Sequence, residues 1–434
     1  MRNDPYGDRV GCRQPGVDAS LGRISPPDST LHVLHVLHSF PPDSQGGIET
    51  YVLRLAQTQV AEGFRVTILA GQDSSTNDTL WTEELVEGLR VLRIRTARRD
   101  LENTIINQDV AEVFERLRDE SIDLFHVHHW HNTSGDIVTR AAKLGIPAIV
   151  TMHDYFPVCP WFFRIRDEQI CDPEVSLETC ASCSAQRSGA DETTLLGVLR
   201  GRNELYRSEL SLARARFTLS NDQAAYLREI PMLQGVSFEL LPLPEPELSP
   251  VVTGTTNDSF EAFRIINWGG LVPGKGMHIL LEACERLSRA VEVHHFGRTL
   301  DYDYRETLRG MAKRTRLVIH GEFDRTEMKR EFARYDVAVF ASLFRETHGY
   351  VVDEAMLLGL PVVVSDRGAP SERLGGRGVT FAGGDSAALA STLQRFLDDP
   401  STLATLRGAE RPAGQTMKKH WSHLRAVYER VVRE

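Results

Sequence analysis

Lysine is scarce in this chain. Six of the 50 basic residues are lysine and the other 44 are arginine, so a lysine inside a motif stands out. Basic residues as a whole are outnumbered by 60 acidic ones, for a formal net charge of −10. A protein that lives on nucleic-acid phosphates is normally basic, so no nucleic-acid partner is expected. No run of about 18 apolar residues occurs, which excludes an apolar bilayer-spanning helix. A lysine-rich amphipathic helix is also missing, so at most peripheral membrane contact is expected. The first 27 residues are polar, with no apolar stretch of the secretory kind, and the expectation is a cytoplasmic protein with a poorly ordered tail over residues 1–30. Cysteine is limited to six positions, Cys12, Cys159, Cys171, Cys180, Cys183 and Cys284, expected to be reduced thiols in that compartment.

What is present is ordinary globular material. The 434 residues are 41% hydrophobic and 25% charged, enough for two large domains with their own cores. Apolar runs alternate with amphipathic stretches, the signature of parallel βαβ units. Strands are predicted at 31–37, 66–69, 91–94, 124–127, 148–152, 217–219 and 238–241. After a proline-rich interruption they resume at 263–268, 291–296, 317–320, 337–340 and 361–364. The reading is therefore α/β, two doubly wound Rossmann-like domains facing across a cleft. The first covers 31–243 and carries a less regular, Cys-bearing insertion at 156–200. A linker occupies 244–258, the second domain 259–410 and a terminal helix 411–434. Ligands of such sheets sit at the carboxyl ends of the strands.

Three segments at such ends carry chemistry. Gln45-Gly46-Gly47-Ile48-Glu49 lies between a strand and a helix, where paired glycines and a helix N-terminus suit an anion; a plain tight turn is the other reading. Gly269-Gly270-Leu271-Val272-Pro273-Gly274-Lys275-Gly276 is a glycine loop bearing one of the rare lysines, suited to a diphosphate. Gly276 stands where a P-loop needs Ser or Thr, so an NTPase loop of that kind is excluded. In Phe344-Arg345-Glu346-Thr347-His348-Gly349-Tyr350-Val351-Val352-Asp353-Glu354, one carboxylate follows a strand and the second lies about a turn into the next helix. Backbone amides from His348 to Val351 open that helix toward an anion.

The order and spacing of Gly-Gly-Ile-Glu, the Lys275-Gly276 loop and Glu346-x7-Glu354 resemble GT-B-fold glycosyltransferases of family GT4, over roughly Leu31 to Gly384. The resemblance implies a retaining transferase that uses a nucleotide-diphosphate sugar, UDP-sugar favoured, without an essential divalent metal. It implies an N-terminal acceptor domain, a C-terminal donor domain and a last helix that crosses back. Gly46 and Gly47 would approach the donor phosphate, and Gly269, Gly270 and Lys275 would hold the diphosphate. Glu346 would hold the transferred sugar, His348, Gly349, Tyr350 and Val351 the sugar and phosphate, and Glu354 the ribose. His153, in Thr151-Met-His-Asp154, would lie beside the sugar as a catalytic residue with Glu346. The family usually has Arg where this chain has Gly270, so Arg298 or Arg345 is the expected second cation. No carboxylate of the first domain matches a family-wide nucleophile, which favours front-face substitution assisted by the leaving diphosphate.

Two clusters remain. Cys159, Cys171, Cys180 and Cys183 fall within 25 positions and end in Cys-x2-Cys. They are read as a structural zinc site or as free thiols, with no cofactor required for catalysis. His126, His128, His129 and His131 end one strand; His128, His129 and Asp154 are read as lining the acceptor site. The acceptor is expected to be a small molecule, a glycan or a lipid-linked sugar. Asp301-x-Asp303 reads as surface. The alternatives are a sugar epimerase or phosphorylase of the same fold, and a non-catalytic nucleotide-sugar sensor or scaffold.

Overall fold

The computed structural model describes residues 31–44, 46–73, 81–96, 106–108, 110–248, 262–325, 328–332 and 334–434. The expected tail 1–30, Gln45 and most of the linker (249–258) lie outside the described residues. Residues 31 to 434 form one unit built on two sheets.

The first sheet comprises β1 (His32–Leu37), β2 (Arg65–Asp73), β3 (Trp81–Val86), β4 (Leu89–Thr96), β5 (Leu124–Val127), β6 (Ala148–Thr151), β9 (Ala215–Thr218) and β10 (Glu239–Leu240). A small antiparallel hairpin, β7 (Ile165–Arg166) and β8 (Gln169–Ile170), lies apart from it. The sheet order is β10-β9-β6-β5-β1-β2-β4-β3, parallel except for β3 against β4. Its helices are α1 (Gly47–Ala61), α2 (Val110–Arg118), α3 (Ile137–Lys143), α4 (Leu177–Ser188), α5 (Glu192–Leu212) and α6 (Asn221–Glu229). The second sheet comprises β11 (Arg264–Trp268), β12 (Glu292–Phe296), β13 (Arg316–Gly321), β14 (Val337–Phe340), β15 (Val362–Ser365) and β16 (Gly378–Phe381). It runs β13-β12-β11-β14-β15-β16. With it come α7 (Met277–Glu285), α8 (Tyr302–Met311), α9 (Met328–Phe332), α10 (Tyr350–Leu357), α11 (Ser386–Asp398) and α12 (Ser401–Gly408). The last helix, α13 (Met417–Arg433), puts Trp421, Leu424, Val427, Tyr428 and Val431 into the core shared by β1 and α1. The chain thus ends packed on its first lobe.

Strands β1, β5, β6, β14 and β15 are buried along their full length, as their Val/Ile/Leu runs require when helices cover both faces. In each sheet the chain runs outward from a central strand in one direction, then returns to build the other side. The order reverses between β1 and β5 in one lobe and between β11 and β14 in the other. These two switch points are where an open α/β sheet leaves a crevice.

Several elements differ from the sequence reading. Strand β3 is antiparallel and has no buried position, so it lacks an apolar run. Strand β16 is an edge strand with one buried position. Within 156–200, read as irregular, stand α4 and the start of α5, and α5 continues unbroken to Leu212. Its buried stripe is Leu195, Leu199, Arg202, Tyr206, Glu209 and Leu210, and two charges on that face mask the helical period. Arg202 donates to the Pro157 and Phe156 carbonyls. Glu209 accepts from Trp130 and from the amides of Val138 and Thr139, capping α3.

Candidate active site

Six helices here begin on a side chain that accepts from their first-turn amides. Ser176 does this for α4, Asp191 for α5, Ser220 for α6, Asp301 for α8, Asp385 for α11 and Thr416 for α13. Asp301 of the Asp-x-Asp is thus a helix cap. The exceptions include the three helices that open at the switch points. Helices α1, α7 and α10 start at Gly46, Gly276 and Gly349, and none has a side-chain cap. In α7 the His278 amide donates to Tyr304 Oη at 3.0 Å, while the starts of α1 and α10 are left for an external anion.

Most of these glycines have a geometric reason. A Cβ on Gly46 would lie 2.7 Å from Glu49 Oε2, and one on Gly47 would lie 3.5 Å from Tyr350 Cδ2, across the junction of the lobes. Gly276 has φ +68° and its Cβ would lie 1.9 Å from the Ala341 carbonyl oxygen. Replacing Gly276 with alanine is therefore expected to cost about 2 kcal/mol or more in urea unfolding, through strain and clash together. An unfolding midpoint equal to wild type would contradict that. Gly269 adopts φ +126° with open space, while a Cβ on Gly270 would meet Leu300 Cδ1 at 2.9 Å. Gly349 adopts φ +80° beside Pro370.

Lys275 Nζ donates to Glu346 Oε1 at 2.6 Å, and Ser342 Oγ donates to the same oxygen at 2.9 Å. Burial alone would raise the Glu346 carboxyl, yet Lys275 and Ser342 hold it below its ordinary value, so it is ionised. The next residue joins the lobes: Thr347 Oγ1 donates to the His153 carbonyl at 2.6 Å. This brings His153 and Glu346 together from the two sheets. His348 Nδ1 accepts from Arg373 at 2.8 Å, and Arg373 also donates to the Gly349 carbonyl at 3.1 Å. Burial and Arg373 lower His348 to about 4, so it is neutral. Tyr350 and Val351 form the first turn of α10. Glu354 is 1% exposed. Its Oε2 accepts from Trp268 Nε1 at 2.7 Å, and Oε1 is ion-paired with Arg325.

Across the junction, Glu49 accepts from Ser44 Oγ at 2.6 Å and lies 3.3 Å from His38 Nε2. Burial works against its ionisation, but these partners hold it at about 2. Arg345 makes two 2.7 Å bonds to Asp222 of the first lobe. It serves the lobe contact rather than supplying the expected second cation. Arg298 is 68% exposed and 3.9 Å from Glu322.

The acceptor expectation needs correction. His128 is 1% exposed and both its nitrogens face other histidines, His35 at 2.9 Å and His153 at 3.0 Å. It is interior and offers nothing to an acceptor. His129 Nε2 lies 3.0 Å from Asp154 Oδ2, while Asp154 Oδ1 accepts from the Phe156 amide at 2.8 Å, so this pair is also spent internally.

Cys159, Cys171, Cys180 and Cys183 line one cavity of about 280 Å³ with Trp161 and Arg164, all as free thiols. Tetrahedral zinc needs sulfurs about 3.8 Å apart. Among the described residues, the three-residue set whose ligand atoms all lie within 4.8 Å is His35, His126 and His128, not a cysteine set. The thiols converge without closing. The same insertion touches the donor loop: Phe163 stacks on Phe344 at 3.8 Å, and Phe344 lies against Gly274.

Sequence reasoning missed Thr347, Ser342, Arg373 and Gln59. Thr347 stands in the motif, Ser342 just before it and Arg373 well beyond it, and only the fold shows what they reach. Gln59 had a local signal, a polar residue on the buried face of α1 with Tyr51, Val52, Leu55 and Ala56.

Two lobes with facing switch points, uncapped helix starts and a lysine–carboxylate pair at their junction define a GT-B glycosyltransferase. The comparisons agree. The family described as Glycosyl transferases group 1 matches residues 262–399, and the Glycosyl transferase 4-like domain matches residues 46–242. A relative named glycogen synthase, from Mycobacterium tuberculosis, is 28% identical over 404 positions, covering 86% of this chain and 87% of its own length. Sucrose-phosphate synthase from Thermosynechococcus elongatus superposes with a TM-score of 0.65 at 19% identity, over 92% of this chain and 98% of that one. Anabaena HepE, solved with UDP and glucose, gives 0.63 at 16%, over 92% and 100%. The chain belongs to the group 1, GT4-type glycosyltransferases and is an enzyme of that class. Among the described residues, no helix is long and apolar enough to cross a membrane.

Proposed function

We propose that this enzyme moves a sugar from a nucleotide-diphosphate sugar, UDP-sugar first, to an acceptor hydroxyl with retention and without a divalent cation. The observation that carries this reading is the convergence of two uncapped helix starts, those of α1 and α10, on the Lys275–Glu346 pair, opposite His153. Lys275 and the amides at the starts of α1 and α10 offset the diphosphate, the task a metal would otherwise have. Glu346 and His153 hold the sugar, and Glu354 meets the ribose by exchanging its ion pair with half-exposed Arg325 for a ribose hydroxyl.

The carboxylates at the junction already have partners, Glu346 with Lys275, Asp154 with His129, Glu49 with Ser44 and His38. This favours a front-face step over a covalent intermediate. The bond from C1 to the diphosphate oxygen breaks, C1 bonds the acceptor oxygen on the same face, and the departing phosphate takes the acceptor proton. Catalysis is then positioning and charge stabilisation. UDP is favoured because HepE was solved with UDP and glucose; Arabidopsis starch synthase IV, solved with ADP and acarbose, makes ADP the competing base. The acceptor class is a small molecule, a glycan or a lipid-linked sugar, met in the cytoplasm.

The test is thermal stabilisation by UDP, GDP, dTDP and ADP, each with EDTA and with magnesium. At 100 times Kd a ligand adds about 2.7 kcal/mol, a shift of several degrees. UDP acting alone and unaffected by EDTA is the expected result. A magnesium-dependent shift would defeat the metal-independent reading, and no shift with any nucleotide would favour the scaffold.

A further inference from the structure

Behind His153 lies a line of buried imidazoles that the donor site does not explain. His35 on β1 stands in register with His126 on β5, and His128 follows directly. His35, His126 and His128 bring ligand nitrogens within 4.8 Å of one another, the distance of a metal site. Their nitrogens are already occupied, however. His126 faces Tyr428 Oη at 2.7 Å and Thr151 Oγ1 at 2.8 Å, and His35 and His128 face each other at 2.9 Å. A cation would have to break this set, so the cluster is a hydrogen-bonded chain.

The chain has a direction. The Gln59 amide nitrogen donates to Tyr428 Oη at 3.2 Å, which turns its oxygen to His35 Nε2 at 2.7 Å. An amide oxygen can only accept, so His35 carries its proton on Nε2 and leaves Nδ1 bare. His128 Nε2 must then donate to His35 Nδ1. His128 Nδ1 is bare in turn and accepts from His153 Nε2, 3.0 Å away. Burial keeps all three imidazoles neutral, His35 at about 4, His153 at about 3 and His128 well below its ordinary value. One proton per ring makes the order transmissible. Among the described residues, Nδ1 of His153 has no hydrogen-bond partner.

We infer that Gln59, His35 and His128 are positioning residues that fix His153 with its proton on Nε2 and present its bare Nδ1 as an acceptor for a hydroxyl of the transferred sugar. The inference rests on the donor-site reading above, with His153 beside the sugar. It makes Gln59, in the last turn of α1 and two imidazoles away from His153, a determinant of the hydrogen-bond sense at the reacting centre. A ring free to carry its proton on either nitrogen would offer a donor part of the time, and meet a sugar hydroxyl in only one of its two possible senses.

The experiment is imidazole nitrogen–proton NMR on the full-length protein labelled with 15N-histidine, with His153→Asn to assign the His153 signals. The wild type is expected to show neutral His153 protonated on Nε2. In Gln59→Met, which keeps the volume and removes the amide, His153 is expected to exchange between tautomers. Its kcat for donor turnover is expected to fall about tenfold with donor KM unchanged. Gln59→Glu, whose carboxylate can only accept, is expected to keep the Nε2 proton. A wild-type His153 protonated on Nδ1 overturns the inference whether or not any variant folds, as does a Gln59→Met protein whose His153 signals and kcat match wild type. Absence of stabilisation by every nucleotide would defeat the donor-site reading alone, because the tautomer spectrum needs no ligand.

Discussion

Lys275→Met is expected to lower kcat/KM for donor turnover about a thousandfold and to weaken nucleotide affinity with it. The methionine keeps the length of the stem and removes the charge. Two losses then coincide. The diphosphate loses the cation placed in its glycine loop, and removing one such stabilising group from an enclosed site costs about 100- to 1000-fold. Glu346, which Lys275 holds ionised against burial, loses its counter-charge. Its carboxyl pKa climbs, and the protonated acid no longer accepts from the sugar in the same way. Glu346→Gln separates the two effects. It leaves Lys275 free for the phosphates, so nucleotide affinity should change little while kcat falls. The measurement is nucleotide release from the donor in steady state, with isothermal titration of the free nucleotide. If Lys275→Met stayed within fivefold of wild type in both, the diphosphate would be held elsewhere, with Arg298 the first candidate.

The parallel-sheet rhythm and the switch-point loops were legible because their signals are local. Val362–Val364 is apolar, and the strand Val362–Ser365 is buried throughout. Gly276 is glycine because its φ and the Ala341 carbonyl leave no room for a side chain. Those constraints leave a mark at the residue itself. Strand β3 leaves none, since an exposed antiparallel edge needs no apolar pattern. Helix α5 leaves a misleading one, because Arg202 and Glu209 occupy its buried face and find their partners 45 and 70 residues away in sequence.

The site divides in the same way. Lys275, Glu346 and His153 could be picked out by motif, and the fold adds that Thr347 ties the last two together. The role of His128 could not be read from its strand end, which pointed to an open, acceptor-lining residue. Its surroundings come from β1, β6 and α1, and only their assembly shows that both nitrogens are taken. Arg345 illustrates the converse. It lies in the donor motif, yet its guanidinium goes to Asp222 of the other lobe, so position in a motif did not fix its partner.

Those buried histidines also set the pH response of the fold. The enzyme is expected to lose stability steeply below pH 6.5 and to unfold in acid near pH 5, before its carboxylates titrate. His35, His295, His348 and His420 are each lowered from 6.5 to about 4, chiefly by burial. Between those values the unfolded chain binds a proton at each position and the native protein does not. Stability therefore rises with pH through this window, is complete above 6.5, and is lost as pH falls toward 4. Each group contributes about 1.4 kcal/mol per pH unit, so the four together give a slope of about 5 kcal/mol per unit once the pH is below 6. A total stability of about 5–15 kcal/mol is exhausted within about one to three units. Glu49, held at about 2 against an ordinary 4.5, adds its loss only below pH 4.5, so it does not contribute to the first decline. Urea midpoints at pH 7.5, 6.5 and 5.5 should fall progressively, and calorimetric unfolding at pH 5.5 should take up several protons. A midpoint that stayed flat to pH 5 would mean that these imidazoles are charged or solvated in the native state. The neutral chain that orders His153 would then fail with them.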